Sequence, residues 1–269
     1  MSKILISLVT HSDYADVCEN FIELFNKNWR YDKNKFDFIV NVIGNQKQFS
    51  DFETYFHGKE KTLPGALYDI VYEKDYEYCI SFLGDAFINS KVNDEIVLNI
   101  IDSMKKSQID YCCLVPRIPW MGMGKRINSY MRAVSNRDSY NISFVAFIAS
   151  RKFILDEFNN NISDLNFEEK YLKKALSKYE VYKNKSILYG NYLGLVPGID
   201  SGKWNRHALK KLTKKNPEIS FTHREKLSAK NQLRNDICHI LQIFLTRKQI
   251  IIIKKILRKL FNINFFTKN

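Results

Sequence analysis

Cysteine is scarce in this sequence, and its placement excludes two kinds of cysteine-dependent fold. The cysteines are odd in number, and no two of them have the C-x-x-C spacing of a zinc or redox motif. We therefore expect reduced, buried thiols in a cytoplasmic protein, with neither a disulfide framework nor a zinc site. The five are Cys18, Cys79, Cys112, Cys113 and Cys238.

The sequence also lacks low-complexity tracts, and no apolar stretch reaches the roughly 20 residues that a bilayer-spanning helix needs. A hydrophobic fraction of 45% and an aromatic fraction of 14% are enough for a large core, which excludes a wholly disordered chain. The first ten residues, MSKILISLVT, have no cleavage-site pattern, so they predict a first strand and not a signal peptide.

Acidic residues are almost absent from the last quarter of the chain. Residues 203–269 contain 17 Lys or Arg and 3 Asp or Glu, a net charge of +14, whereas residues 1–202 have a net charge of −1. The sequence therefore predicts a nearly neutral domain, residues 1–207, followed by a basic helical region, residues 208–269. Such a one-sided charge indicates an anionic partner: a membrane surface, a nucleic acid or a phosphate-bearing substrate.

Apolar runs alternate with amphipathic segments through the first three quarters of the chain. The run 186–198 predicts one strand or a pair of strands, and the other strands are expected at 3–10, 36–44, 78–84, 111–116 and 142–150. Helices are expected at 13–25, 63–71, 94–106, 151–158 and 166–179. Helices that alternate with wholly apolar strands predict an α/β fold, in which helices cover both faces of a mainly parallel sheet.

Residues 117–141 interrupt this alternation. Prolines stand near the start, Gly122 and Gly124 follow, and five Arg or Lys are interleaved with aromatic residues. We expect a long loop with one or two helical turns, which in a compact domain is typical of a functional segment.

A carboxylate follows the third of these predicted strands, in the segment YCISFLGDAF of residues 78–87. In an open parallel sheet the carboxyl ends of the strands meet at one edge, where ligands bind. Asp85 is expected there beside Thr10, His11 and Ser12, which end the first strand. A carboxylate at this place can hold Mg²⁺ or Mn²⁺ against a diphosphate, or it can simply cap the next turn.

The order of several short motifs resembles that of bacterial GT-A-type glycosyltransferases from surface-polysaccharide clusters (capsule, exopolysaccharide and lipopolysaccharide). In one such group a Y-x-L-x-L-x-D-D-F-F segment follows a helix, and residues 78–87 are similar to it, with Gly84 in place of the first aspartate. Residues 117–120 resemble an arginine–proline–tryptophan-like loop, 166–168 a W-x-F-E-like element, and 202–204 a G-K-W-like turn. The similarity covers roughly residues 3–207.

The resemblance implies a GT-A-like (Rossmann-like) fold and transfer of a sugar from a nucleotide-sugar donor, with UDP as the expected nucleotide. It implies Mn²⁺ or Mg²⁺ as cofactor, with Asp85 and His207 as metal ligands, because such enzymes often supply a histidine late in the chain. Glu168 is the implied general base and Glu169 the second choice. The implied donor-binding residues are Thr10, His11, Ser12, Asp85, Arg117, Trp120, Lys203, Trp204 and Arg206.

Each of these assignments has a purely structural alternative. Glutamates in the first turn of a helix favour the helix dipole whatever their chemistry, so Glu168 and Glu169 fit that role too. A lone histidine among lysines, such as His207, is often only a surface residue. Trp120 and Trp204 can stack on a sugar or a base, but tryptophans at strand ends also close the edges of cores.

Residues 237–261, ICHILQIFLTRKQIIIIKKILRKLF, predict an amphipathic helix. From residue 247 onward the basic residues lie mostly opposite the aliphatic ones, as in a helix that lies in an anionic membrane interface. The alternative is a terminal helix that docks on the globule or on a second subunit. Membrane binding would make the chain a peripheral protein on the inner face of the cell membrane, which suits a lipid-pyrophosphate-linked or growing saccharide acceptor.

Two other functions stay open. The chain could be a non-catalytic partner of a sister glycosyltransferase, a function that Gly84 favours. Its partner would then be that sister enzyme, and assembly as a homo-oligomer is the other possibility. The chain could also bind nucleic acid through the basic region. We do not expect a nucleic-acid partner, because the aromatic residues of that region are not interleaved with its charges as stacking platforms.

Overall fold

The computed structural model describes residues 3–49, 52–115, 124–134, 142–158, 162–174 and 183–245, together with a few positions between 249 and 259. An eight-stranded sheet forms the centre of the chain, in the order β3-β2-β1-β4-β8-β6-β9-β7. Its strands are β1 Ile4–His11, β2 Phe36–Ile43, β3 Glu53–His57, β4 Tyr78–Leu83, β6 Tyr111–Cys113, β7 Met131–Ala133, β8 Ala146–Ser150 and β9 Lys185–Leu188.

Two small sheets, seven α-helices and the short 3-10 helix Ser12–Tyr14 complete the structure described up to residue 245, and the described positions between 249 and 259 are also helical. β5 Ala86–Ile88 pairs antiparallel with β10 Leu195–Pro197, and β11 Ile199–Asp200 pairs with β12 Lys203–Trp204. The helices are α1 Ala15–Asn28, α2 Leu63–Glu73, α3 Asp94–Lys106, α4 Arg151–Phe158, α5 Asp164–Lys174, α6 Arg206–Lys215 and α7 Ala229–Phe244. None of the helices in the described ranges has the length and apolar character needed to cross a bilayer.

The predicted α/β class with a mainly parallel sheet is confirmed. β1 pairs parallel with both β2 and β4, β2 pairs parallel with β3, and β6 pairs parallel with β9. Only β8 and β7, among the described strands of this sheet, run the other way. The central strands are buried on both faces, which is why their sequences are apolar runs without alternation.

The core forms one layer on each face of the sheet. One layer packs α1 and α3 against the sheet, together with Trp204, Ala208 and Leu212 from the C-terminal region. The other layer contains the apolar residues of α2, α4 and the start of α5. Four of the five cysteines are buried, as predicted, and Cys238 on α7 is partly buried.

Two strands of the eight-stranded sheet were not predicted, and each has a physical reason; the short strands β5, β11 and β12 of the small sheets were not predicted either. β3 is an edge strand whose residues, ETYFH, are mostly half-exposed, so it has no apolar run. β7 lies inside the segment expected to be a loop with helical turns; that expectation is wrong for Met131–Ala133, which pair with β9, whereas residues 124–130 form a loop without a helical turn. The rest of that segment up to residue 141 lies outside the described residues.

The beginning of the basic region packs on the globule. Asn20 on α1 donates to the carbonyl of Ser220 and accepts from the backbone N–H of Thr222. Arg224 forms a two-pronged ion pair with Asp16, at 2.6 and 2.7 Å. The division of the chain at residue 207 stays a prediction.

Candidate active-site cleft

A cleft of about 310 Å³ opens at the carboxyl ends of β1 and β4. The chain places β2 and β3 on one side of β1 and β4 on the other, so this is the point where the strand order reverses. Backbones diverge at such a switch point and leave a crevice, where ligands of open α/β sheets bind. The lining residues are Val9, Thr10, His11, Tyr14, Leu63, Leu83, Gly84, Asp85, Asp164, Ile199, Ser201 and Gly202.

Asp85 lies in a two-residue turn between β4 and β5. Its carbonyl accepts a hydrogen bond from the N–H of Gly198 at 2.9 Å, which joins the turn to the segment that leads into β11. The carboxylate accepts from its own backbone N–H and from that of Ile199. These contacts hold the side chain at the wall of the cleft.

The carboxyl of Asp85 is an unusual titrating group for an aspartate. Burial raises its pKa to about 6, the neighbouring carboxylate of Asp200 adds to the rise, and the backbone donors oppose it. Within the described part of the chain, no Lys or Arg forms an ion pair with it. A carboxylate that has lost part of its hydration and has no cation beside it is costly, and such perturbed groups in clefts are candidates for function.

Asp200 ends β11, in the hairpin whose residues Ile199, Ser201 and Gly202 line the cleft beside Asp85. Ser201 and Gly202 connect β11 to β12 and both have positive φ, 52° and 78°, as the central residues of a type I′ turn require. Asp200 accepts hydrogen bonds from the hydroxyl of Ser201, at 3.0 Å, and from the side-chain amide of Asn235. The tight turn brings its carboxylate near that of Asp85, although 115 positions separate the two in the chain.

Gly84, which stands where the resembling family has an aspartate, packs tightly in the cleft wall. A Cβ atom at this position would lie 3.2 Å from Oγ1 of Thr10 and 3.7 Å from Cα of Cys18. A larger side chain would therefore have to displace Thr10 or the start of α1. The glycine lets the turn that holds Asp85 approach β1 and α1 closely.

The donor set at this cleft suits a hard divalent cation. Mg²⁺ is usually held by one or two carboxylates together with substrate phosphates, and Asp85 and Asp200 can supply two. Within the described residues, no group of three or more His, Cys, Asp and Glu side chains could hold a metal ion by itself. Any cation bound here would therefore need ligands from a substrate or from water.

No family model matches this chain, and neither does any curated protein. Among solved structures it is similar to S. aureus TarS, with 12% identity and a TM-score of 0.45 over 92% of this chain and 44% of TarS. The structure of TarS residues 1–349 in complex with UDP is 12% identical to this chain with a TM-score of 0.46, over 90% of this chain and 70% of that one. A mannosyltransferase from Pyrobaculum calidifontis, in complex with GDP-Man and Mn²⁺, is 10% identical to this chain with a TM-score of 0.42. That similarity covers 69% of this chain and 56% of the mannosyltransferase. At such low sequence identities and TM-scores, the ligands of those proteins are not assigned to this chain.

Several of the residues predicted for the donor site come together. Thr10, His11 and Asp85 line the same cleft, and Ser12 follows directly, with its hydroxyl accepting from the N–H of Asn45 at 3.1 Å. Arg117 and Trp120 lie outside the described residues. The role of each in donor binding stays a prediction.

The donor-binding residues predicted in the G-K-W-like turn and on α6 do not line the cleft, although Gly202 of that turn does. Trp204 is fully buried, and its ring stacks on Phe87 at 5.4 Å. Lys203 pairs with Glu225 at 2.6 Å, and the guanidinium of Arg206 donates to the carbonyl of Leu227. None of these three is among the described residues that line the cleft.

His207, the second predicted metal ligand, is an exposed residue of α6. Its Nε2 lies 3.0 Å from a carboxylate oxygen of Asp236 on α7, and this contact lowers the pKa of Asp236. Asp85 lines the cleft and His207 is not among its described lining residues. As a metal ligand, His207 stays a prediction.

Glu168 is held by the segment that leads into β8. One of its carboxylate oxygens accepts from the hydroxyl of Ser143 at 2.9 Å and from the N–H of Phe144 at 3.0 Å. Glu169 is the next residue of α5, and both are partly buried. Asp164, one turn earlier on the same helix, is the carboxylate of α5 that lines the cleft.

Sequence reasoning missed Asp164, Asp200, Ser201 and Tyr14 as residues of the cleft region. A signal existed for the hairpin, because an Asp-Ser-Gly-Lys sequence between two short apolar runs is typical of a tight turn. No such signal existed for Asp164, since an acidic residue at a helix start is expected for the dipole alone.

Proposed function

We propose that this chain is a GT-A-like glycosyltransferase that takes a sugar from a nucleotide-sugar donor, with UDP as the expected nucleotide. The observation that carries the proposal is the carboxylate of Asp85 at the switch point of the sheet, partly buried and without a Lys or Arg partner among the described residues. A nucleoside diphosphate with its cation supplies the positive charge that this carboxylate lacks, and places the phosphates beside it.

Asp85 and Asp200 are the residues that would hold Mg²⁺ or Mn²⁺. When bound, the cation neutralises negative charge on the diphosphate as the sugar leaves. With a pKa of about 6, Asp85 is ionised for the most part at pH 7 and ready to bind, and it becomes protonated in mild acid. His207 is proposed as a further ligand only if α6 and α7 move, because it now contacts Asp236.

Thr10, His11 and Ser12 are proposed to contact the nucleoside, since they border the cleft on the β1 side. Arg117, Trp120, Lys203, Trp204 and Arg206 remain donor-binding candidates from the motif resemblance alone. Lys203 and Arg206 would have to leave their contacts with Glu225 and Leu227 to reach a phosphate.

The acceptor hydroxyl needs a base within hydrogen-bond reach if the anomeric centre inverts. Glu168 is the first candidate from its motif, with Glu169 second, although Glu168 already accepts two hydrogen bonds. Asp164 is an equally good candidate from its position, because it lines the cleft. Glu168→Gln keeps the oxygen that accepts from Ser143 and Phe144, so it separates a base from a residue that only holds the fold.

The setting proposed for the reaction is surface-polysaccharide synthesis at the inner face of the cell membrane. The acceptor would be a lipid-pyrophosphate-linked or growing saccharide. The support is the motif order and the net charge of +14 on residues 203–269. A lipid-linked acceptor presents its sugar at the membrane surface, which suits a peripheral enzyme.

Thermal unfolding with UDP and a panel of UDP-sugars, with and without Mn²⁺, tests the proposal. We expect stabilisation by nucleotide plus metal in the full chain and its loss in Asp85→Asn. Asp75→Asn is the matched control, because Asp75 precedes the same strand at the opposite edge of the sheet and its side chain is 98% exposed. Equal stabilisation of all three proteins would reject the site.

A non-catalytic partner of a sister enzyme is the second candidate, favoured by Gly84. Such a protein would bind UDP-sugar without turnover, and Asp85→Ala, Glu168→Gln and Asp164→Asn would leave the sister enzyme's rate unchanged. Binding of nucleic acid without any response to nucleotide sugars would instead identify the third function considered.

A further inference from the structure

The outer face of α7 exposes large apolar side chains in a regular row. Leu233, Ile237 and Ile240 are spaced four and three residues apart and are 60%, 43% and 52% exposed. Ile252 and Ile256, also helical, are exposed as well. Of the large apolar side chains that are exposed in the described structure, most lie in this one region, and a clustered patch of this kind indicates a binding surface.

A different face of α7 is fixed to the wall of the cleft. Gln232 is buried and accepts from the N–H of Arg206 at 2.9 Å, and Asp236 meets His207 at 3.0 Å. Asn235 donates to the carboxylate of Asp200, in the hairpin that lines the cleft. The helix that carries the apolar row therefore also contacts the hairpin that lies beside Asp85.

Charge decides which partner fits this surface. The row lies in the region with a net charge of +14; Lys230 on the same helix is exposed, and so are Lys255 and Lys259 further along the chain. A second copy would bring the same positive charge and repel it. A nucleic acid would satisfy the lysines but leave the isoleucines in water. A bilayer with anionic headgroups satisfies both, because its charge lies above an apolar interior.

We propose that α7 is a membrane-docking helix: Leu233, Ile237 and Ile240 enter the headgroup region of an anionic leaflet, and the inner face of the helix holds the β11–β12 hairpin close to that leaflet. The surface extends the segment predicted from sequence, 237–261, toward the globule. Its consequence for a membrane-borne acceptor rests on the proposed glycosyltransferase function, but docking itself does not.

Sedimentation of the full chain with vesicles tests the docking. We expect binding to vesicles that contain phosphatidylglycerol and little binding to pure phosphatidylcholine. The triple variant Leu233→Ser, Ile237→Ser, Ile240→Ser is expected to bind at least about tenfold more weakly, since each exposed aliphatic side chain contributes to insertion. Tyr72→Ser is the control, because Tyr72 is 65% exposed on α2, whose apolar residues pack on the other face of the sheet.

Equal binding of the triple variant and the full chain would overturn the proposal, and so would a concentration-dependent dimer that the triple variant abolishes. Preference for RNA over anionic vesicles would also overturn it. UDP stabilisation is measured on the same samples. If no protein responds to UDP but the vesicle result stands, the glycosyltransferase function fails and the docking surface remains.

Tryptophan placed on the hairpin gives a readout that does not depend on the triple variant folding. In Lys203→Trp, lipids with a nitroxide on the headgroup are expected to quench the added fluorescence, because Lys203 is exposed on β12 beside the cleft. In Tyr72→Trp they are expected not to quench it. Equal quenching of the two would overturn the proposed orientation.

Discussion

Residues 1–202 and residues 203–269 differ in how their charged residues are balanced. In the first region acidic and basic residues almost cancel, and the feature that points to function is one partly buried carboxylate, that of Asp85. In the second region lysines and arginines outnumber acidic residues by 14, and many are exposed. A single buried charge acts through desolvation at one point, whereas a summed surface charge acts over a distance and weakens with salt.

The largest expected effect separates the two regions by function. Asp85→Ala is expected to lower the proposed sugar transfer about a thousandfold, because the residue proposed to hold the diphosphate's cation is lost, yet to leave vesicle binding unchanged. Lys255→Glu with Lys259→Glu is expected to do the reverse, with weaker binding to anionic vesicles and unchanged stabilisation by UDP. Loss of both activities in either variant would show that the regions do not act separately.

A smaller effect concerns stability and pH. The folded pKa of Asp85, about 6, lies above its usual value, so its protonated form stabilises the fold in acid, and this contribution is lost as pH rises from about 4 through about 6. The difference corresponds to at most about 3 kcal/mol. Asp85→Asn is therefore expected to raise Tm at pH 8 but not at pH 4. Parallel Tm curves for the two proteins across this range would contradict the burial of an ionisable group.

The contact that joins the two regions beside the cleft gives the next prediction. Arg224 pairs with Asp16, lowers the pKa of that carboxyl, and stacks over the ring of Tyr14 at 4.4 Å. Arg224→Ala is expected to lower the free energy of unfolding by about 1.5 kcal/mol, a modest value because water screens the pair. Arg224→Lys is expected to recover only part of it.

The pH dependence of that pair has the opposite sign to that of Asp85. The stabilisation from Asp16 is present above its unfolded pKa and is lost as pH falls through its lowered folded pKa. Urea unfolding of Asp16→Asn and of the original chain should converge in acid. A difference that persists unchanged at low pH would mean that the pair is not the source.

The smallest expected effect tests the packing of Gly84. Gly84→Ala is expected to cost a few tenths to about 1 kcal/mol, because the new methyl group would press on Thr10, and the cost should fall in a Thr10→Ala background. Gly58→Ala is the control, since no heavy atom lies within 4 Å of a Cβ there. A Gly84→Ala protein as stable as the control variant would show that the turn is loosely packed.

Much of the fold follows from local pattern. The apolar runs that became β1, β2 and β4 need burial on both faces, and only a sheet covered by helices provides it. The same patterns could not reveal β3, whose residues are half-exposed at an edge, or β7, which exists only because β9 lies beside it. An edge strand depends on its neighbour and leaves little trace in its own sequence.

The position of Asp85 at the cleft was predictable, because the end of a parallel strand has a fixed place in the sheet. The effect of Asp200 on its pKa was not predictable, because it depends on a hairpin that lies more than a hundred residues away in the chain. The surroundings of Glu168 were not predictable either: its motif predicts a general base, but only the fold brings its carboxylate to the hydroxyl of Ser143.

The sequence by itself determined the α/β class, the buried thiols and the division of charge, because each depends on composition and on spacing within one segment. Only the tertiary structure decided that the charge of Asp200 acts on Asp85, that Trp204 is buried against Phe87, and that α7 joins an exposed apolar row to the cleft hairpin. Those contacts depend on which distant segments pack together. The free energy of that packing is spread over residues that are far apart in the chain, so no local sequence pattern predicts it.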